Sequence, residues 1–300
     1  VGFWAAYWGV RRFGGRLISG GGLDTKGHIE AILRMKPTVL VSTPTFALRM
    51  AAVASEMGVD LAESSIKFTF HAGEPGPTAL PAMRQRLETA WGARAGELLG
   101  IAEIDSLAPC NSLLDGVRVN ELNVHSWVMD PDTGQEVDEN DVGEHVVSSY
   151  VNSAQPLLNY RTHDLVRPQY SCPSGCTWIK FAGSVLGRTD FMFTVRGTNV
   201  YPTAVEKILG DSHGVSPNYE LHLVHEDGND KMRVIFEPDP GTEPAVWPAI
   251  AEAAMKNIHS GIHVRLDLEP VEPGSLPRYD LKTKRIFDDR PKELRRALDR

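Results

Sequence analysis

Five short segments carry residue types that could bind a ligand or do chemistry on one. HAGEPGP, residues 71–77, joins a strand-like run to a helix-like one, and its small residues let the backbone approach a ligand closely. LGIAEID, residues 99–105, presents Glu103 just after another strand-like run, and YRTHDL, residues 160–165, offers Asp164. GRTDFMFTVRGTNVYP, residues 187–202, flanks a short apolar strand with charges and glycines that are costly to bury or weaken a strand. GSLPRYDLKTKR, residues 274–285, holds Lys282 in a loop. Singly, each has an ordinary explanation: a turn, a solvated or helix-capping carboxylate, a solvent-facing basic cluster, a structural histidine at position 71. The 187–202 stretch reads either as a surface hairpin or as a joint between two domains that also touches a ligand.

The elements around these segments alternate. HIEAILRM is a short amphipathic helix and TVLVS a β-branched run suited to a buried parallel strand. TPTFALRMAAVASEMG opens with a Thr-Pro helix start and closes on Gly58. IKFTFHA is a second strand. GPTALPAMRQRLETAWG is a second helix, with Leu80, Met83, Leu87 and Ala90 on one face and Gly92 at its end, and GELLG is a third strand. Strand–helix–strand repetition implies a parallel sheet with ligands beyond the carboxyl ends of its strands. After Glu103 the runs between Asp, Pro and Gly turns read as an antiparallel β unit. From Gly187 a small α+β unit follows. In it NYELHLVH and KMRVIF form a hairpin, a helix runs around Trp247 to Ser260 and is stopped by Gly261, and VRLDLEPV is a last strand. The expected organisation is residues 1–187 as an α/β unit with a β-rich subdomain and 188–300 as a small α+β domain.

The 300 residues suffice for one large and one small core. A net charge of −8 argues against a general nucleic-acid surface. No apolar run reaches the roughly 18 residues of a membrane span; the best, residues 37–54, is broken by Ser42, Thr43, Pro44, Thr45 and Arg49. Three cysteines are too few for a disulfide scaffold and fit a reducing cytoplasm. VGFWAAYWGVRRFGG reads as the middle of a helix, so the expectation is a fragment of a longer protein.

In order, the five segments resemble the motifs of the adenylate-forming superfamily (acyl-CoA synthetases), and within it the phenylacetate-CoA ligase branch. AGEPG stands for that branch's Gly-Ala-Glu-Pro-Trp, LGIAE for Tyr-Gly-Leu-Ser-Glu, and YRTHDL for Tyr-Arg-Thr-Arg-Asp-Leu. GRTDFM with RGTNVYP stands for Gly-Arg-Ser-Asp-Asp-Met with Arg-Gly-Val-Asn-Val-Phe-Pro, and SLPRYDLK for Ser-Leu-Pro-Arg-Ser-Glu-Gly-Lys.

The resemblance implies an ATP-dependent acid–thiol ligase, with ATP, Mg2+ and coenzyme A beside a carboxylic acid. Such an enzyme must focus positive charge on two reacting anions. By resemblance Lys282 is the lysine reaching between carboxylate and α-phosphate, and Glu103 is the Mg2+ ligand. Asp164 accepts the ribose hydroxyls and Arg188 contacts the ribose. Gly73, Glu74 and Pro75 wall the adenine largely through backbone, and Leu99 and Gly100 are also nucleotide-binding positions. Asp190 is the hinge of a swinging small domain, and Gly197 lines the pantetheine tunnel. On this reading the 187–202 stretch is the joint. Alternatives are an adenylating enzyme serving a carrier protein or other acceptor, and a nucleotide-binding relative without turnover. Homodimer formation stays open, as does the identity of the acid, aryl or otherwise.

The sequence also departs from the pattern. Leu99 replaces an adenine-stacking aromatic, a contact worth roughly 1–3 kcal/mol per base. Ala102 replaces a hydroxyl residue and Phe191 the second hinge Asp. Gly76 replaces a Trp, which should widen or reshape the acyl pocket. No Ser/Thr/Gly-rich phosphate loop occurs in the sequence, so pyrophosphate lacks its backbone cradle and the chain alone is expected to have little or no activity. Some members of the branch hold a structural zinc through cysteines at places comparable to Cys110, Cys172 and Cys176, with a histidine where Arg118 stands here. His125 is a candidate fourth ligand.

Overall fold

A computed structural model describes residues 2–111, 113–151, 154–170, 175–189, 192–195, 198–226, 229–278 and 284–291. Asp190, Phe191, Gly197, Cys172 and Lys282 lie outside the described residues. The chain divides into two compact units, the first ending at Leu186 and the second opening at Gly187.

The first unit begins with α1 (Gly2–Arg12), α2 (Thr25–Met35), β1 (Val39–Ser42), α3 (Pro44–Glu56), β2 (Phe68–His71), α4 (Pro81–Trp91), β3 (Arg94–Ile101) and β4 (Asp105–Pro109). Strands β1, β2 and β3 are parallel neighbours and β4 returns antiparallel to β3. The helix starts follow local chemistry. Asp24 caps α2 by accepting from Gly27 N at 2.8 Å, while Thr43 caps α3 with Pro44 pre-set in its first turn. Ile29, Met50, Leu87 and the fully buried Trp91 join Ala95 of β3 in one core. The opposite face of β1 leaves Val39 50% and Val41 60% exposed, so its β-branched residues do not make it a fully buried strand. Helix α4 starts at Pro81, five residues later than the helix-like sequence suggests. The intervening residues are bound into a turn, with Ala79 N and Leu80 N both donating to Gly76 O.

The β-rich part adds β5 (Val117–Arg118), β6 (Val124–Met129), β7 (Gly143–Ser149), β8 (Tyr160–Val166), β9 (Pro168–Gln169) and β10 (Lys180–Phe181). Strands β6, β7 and β8 pair antiparallel, as do β5, β10 and β9 in a smaller sheet. Leu107, Val117, Val128, Val147 and Phe181 fill their core.

The second unit contains β11 (Gly187–Arg188), β12 (Phe193–Val195), β13 (Thr198–Val200), α5 (Pro202–Asp211), β14 (Val215–Glu226), β15 (Asn229–Pro238), α6 (Trp247–Ile262), β16 (Asp267–Pro270) and β17 (Ile286–Asp288). The sheet order is β16-β15-β14-β17. Tyr219, Leu221 and Leu223 face Phe236, Val234 and Met232 across the central hairpin, the register that their alternation implies. Strands β12 and β13 are an antiparallel pair whose Phe193, Val195 and Val200 enter this core, so the segment is a hairpin but a buried one. Two boundaries differ from the sequence reading. Gly261 lies inside α6, which is capped by His263 at φ 56°; a Cβ there would meet Ile208 Cδ1 at 2.7 Å, so the glycine allows a close approach of that side chain. The strand at 267–270 is followed by another, β17, parallel to β14.

Candidate functional site

The loop after β2 is tied down from both ends. His71, at the end of β2, is buried with Nδ1 3.3 Å from Ser42 O, and burial pushes its pKa down to about 4, so the ring stays neutral. Gly73 has φ 86°, a left-handed conformation that favours glycine. Glu74 turns its carboxylate to the start of α3, accepting from Thr45 N at 3.2 Å and from Thr45 Oγ1 at 2.7–2.8 Å. A carboxylate there satisfies an orphan amide and faces the positive end of the helix dipole. With that side chain committed, residues 73–75 are left to offer ligands chiefly their backbone.

Gly76 does not open space. An ideal Cβ on it would lie 2.1 Å from Glu97 Oε2, so the volume that a side chain at 76 would claim is filled by a carboxylate rising from β3. This filled volume bears on the widening expected of Gly76 and leaves the reshaping open. Leu99 is likewise buried, inside the β-rich core, and supplies no exposed platform for a base. Gly100 follows it on β3 at a register irregularity with β4.

Strands β3 and β4 are joined by a tight turn, with Ile104 N donating to Ile101 O at 3.2 Å, and exposed Glu103 is at its tip. Tyr160 Oη, 57 residues further along and at the start of β8, donates to Glu103 Oε1 at 2.8 Å. This contact brings LGIAEID to YRTHDL. Strand β8 then bulges against β7, where the pairing shifts between Glu144 and Val146 and His163 takes φ 65°. Bulges commonly re-aim a side chain beside a functional site. Here the bulge leaves Asp164 5% exposed, with its amide donating to Thr162 Oγ1 at 3.1 Å while Thr162 Oγ1 donates to His145 O. The bulge is pinned by buried Glu144, which accepts from Arg161 Nε at 3.1 Å and lies 3.2 Å from His163 Nδ1. The Glu144 carboxylate in turn holds the Arg161 guanidinium above its ordinary pKa.

Arg188 lies on β11, in the second unit. Lys282, Asp190 and Gly197 fall outside the described residues, as does Cys172. Cys110 and Cys176 are free thiols. Burial pushes the Cys110 thiol up, which opposes the thiolate that a metal needs, and its Sγ accepts from Glu97 N at 3.3 Å. Arg118 is buried, and among the described residues its guanidinium nitrogens have no hydrogen-bond partner. Among the described residues no group of three or more His, Cys, Asp or Glu could hold a metal, and His125 is exposed on β6. The zinc reading also needs Cys172, which lies outside the described residues. Among the described residues no helix is long and apolar enough to cross a membrane.

Sequence reasoning missed Thr45, Glu97, Tyr160, Glu144 and His163 as partners of the site. The one available signal was a glutamate leading an apolar run, in GELLG and again in GEHVV.

Comparison with known proteins places this arrangement. Residues 197–290 match the AMP-binding enzyme C-terminal domain. The chain is 28% identical to a phenylacetate-coenzyme A ligase of Aromatoleum evansii, over 96% of this chain and 66% of that protein. It is 30% identical to one of Thermus thermophilus, over 90% and 64%. The fold superposes with a TM-score of 0.87 on a 2-hydroxyisobutyryl-CoA ligase crystallised in complex with R3-HIB-AMP, at 25% identity over 96% of this chain and 63% of that one. The chain's curated homologues are thus phenylacetate-CoA ligases and its structural neighbours acyl-CoA ligases, in line with the superfamily and branch that the motifs resemble. It spans just under two thirds of the length of these curated relatives.

Proposed function

We propose that the chain carries the adenylate-binding half of an ATP-dependent acid–thiol ligase. In the first step a carboxylate oxygen attacks the α-phosphorus of ATP, forming acyl-AMP and expelling pyrophosphate. In the second a thiolate sulfur, from coenzyme A after loss of the thiol proton, attacks the acyl carbon and expels AMP. Residues 73–75 wall the adenine with backbone, Asp164 accepts the 2′- and 3′-hydroxyls of the ribose, and Arg188 contacts the same sugar. Glu103 is a hard oxygen ligand suited to Mg2+, which when bound would offset charge on the phosphates. Lys282 supplies the ammonium for the first step, Asp190 is the pivot between steps, and Gly197 admits the pantetheine arm. The seam at residues 187 and 188 separates the large-domain portion from the mobile small domain.

One observation carries this reading: the Tyr160–Glu103 contact holds the proposed metal carboxylate beside the strand that bears the proposed ribose carboxylate. Two acids 61 positions apart in the chain thus serve one nucleotide. Calorimetric titration of the chain with ATP and Mg2+ tests it. Glu103→Gln should abolish the Mg2+ contribution to affinity while leaving the metal-free affinity intact, and Asp164→Ala should weaken both. Parental affinity in both variants would defeat the proposal. Buried Leu99, in place of a stacking aromatic, favours a second reading in which the chain binds nucleotide without turnover; in a protein extended to its relatives' length, recovery of a coenzyme A thioester excludes it.

A further inference from the structure

A buried carboxylate outside the residues assigned above stands directly behind the nucleotide-wall loop. Glu97 is 3% exposed, on β3, in register with His71 of β2 on the same face of the sheet. Among the described residues no cationic side chain pairs with it. His71 does not neutralise it either, since burial holds that ring uncharged. What Glu97 meets instead is neutral donors: Thr78 N at 2.9 Å and the hydroxyl of Ser184, itself buried in a left-handed turn at φ 59°. A carboxylate in such a place is costly unless its lone pairs are used. Its use is to close the turn in which Gly76 O already receives the amides of Ala79 and Leu80. The same carboxylate claims the volume of a side chain at residue 76.

We infer that Glu97 is the positioning residue of the 72–79 loop, and that residues 76 and 97 form an exclusive pair in which only one can fill the space behind the loop. This rests on the proposed function only in taking the loop to be the nucleotide's wall; the pairing itself does not. The loop is held by Glu74 at its front and by Glu97 at its back. Its backbone reaches a ligand already in place, which lowers the cost of ordering it on binding.

The test uses the 300-residue chain with Glu97→Gln, Glu97→Ala, Gly76→Ala and the double variant Gly76→Ala/Glu97→Ala. Amide hydrogen exchange over residues 72–80 reads the loop without any ligand, and ATP titration reads its consequence. Glu97→Ala should raise exchange at Thr78 and Ala79 and weaken ATP binding about tenfold, the scale of one lost buried hydrogen-bond acceptor. Glu97→Gln keeps the shape and one carbonyl oxygen, and should fall between parent and Ala. Gly76→Ala should loosen the loop too, because its methyl contests the carboxylate. In the double variant the effects should fall short of additive, since the methyl enters the vacated space. Unchanged exchange in Glu97→Ala, or strictly additive effects in the double variant, would overturn the inference. So would a lowered melting temperature with parental ATP affinity per folded molecule, the mark of a merely structural role. If the parent binds no ATP, the proposed function fails while the exchange measurement still decides the pairing.

Discussion

Two loops leave neighbouring parallel strands of one sheet, and they are held in opposite ways. The 72–79 loop after β2 is rooted in the sheet and helices beneath it, through Glu74 on Thr45 and Thr78 on Glu97. The turn after β3 projects its acid outward, and Glu103 is met by Tyr160, a side chain from a different sheet. On the proposed function, the difference follows what each would be asked to do. A wall that offers backbone must be fixed before the ligand arrives. A carboxylate that ligates a hard cation needs direction from a neighbour but must stay accessible to the ion and water.

The largest effect expected from this contrast is on acid stability, because the rooted loop ends on a buried neutral histidine. His71 has its folded pKa depressed to about 4 from the usual 6.5. The unfolded chain therefore binds the extra proton first, and stability from this group is full above pH 6.5 and lost as pH falls towards 4. That loss amounts to about 3 kcal/mol. Burial pushes Glu97 the other way, so its contribution is lost as pH rises. Denaturant unfolding of the parent and His71→Asn across this range should show a shallower acid limb in the variant. Equal limbs would mean that His71 is not buried neutral.

A smaller effect is expected at the front of the rooted loop. Glu74→Ala removes the acceptor for Thr45 N and should cost about 1 kcal/mol, the usual scale of a lost helix cap; thermal melts measure it. The smallest effect on stability is expected at the projecting turn. Tyr160→Phe should change unfolding free energy by less than about 0.5 kcal/mol, as surface changes do. It should nonetheless weaken ATP binding in the presence of Mg2+, by loosening the aim of Glu103. Should Tyr160→Phe destabilise more than Glu74→Ala, the distinction between rooted and projecting loops is wrong.

The legibility of the molecule in its sequence follows the same division. Short-range patterns were readable. The β14–β15 register follows from alternation of Tyr219, Leu221 and Leu223 against Met232, Val234 and Phe236, and the start of α3 from Thr43-Pro44. Boundaries set by tertiary contacts were not. Helix α4 begins late because residues 76–80 close a turn that Glu97, nineteen positions from Thr78, holds, and α6 runs past Gly261, where Ile208 of α5 packs closely. The superfamily was legible from five ordered motifs. The supports of those motifs were not, since Tyr160 and Glu103 lie 57 residues apart and a lone tyrosine carries no mark of its partner. Gly76 shows the same limit: an empty Cβ position in the sequence is a filled one in the fold.

The central claim is that the acids at 103 and 164 frame one nucleotide, with Asp164 reading its sugar. Titration of the chain with ATP and with 2′,3′-dideoxy-ATP, in the parent and in Asp164→Ala, tests this most directly. The account expects the parent to favour ATP by about tenfold or more, as a site built to hydrogen-bond a hydroxyl does when it is missing, and Asp164→Ala to bind both alike. Equal affinity of the parent for the two nucleotides would contradict it.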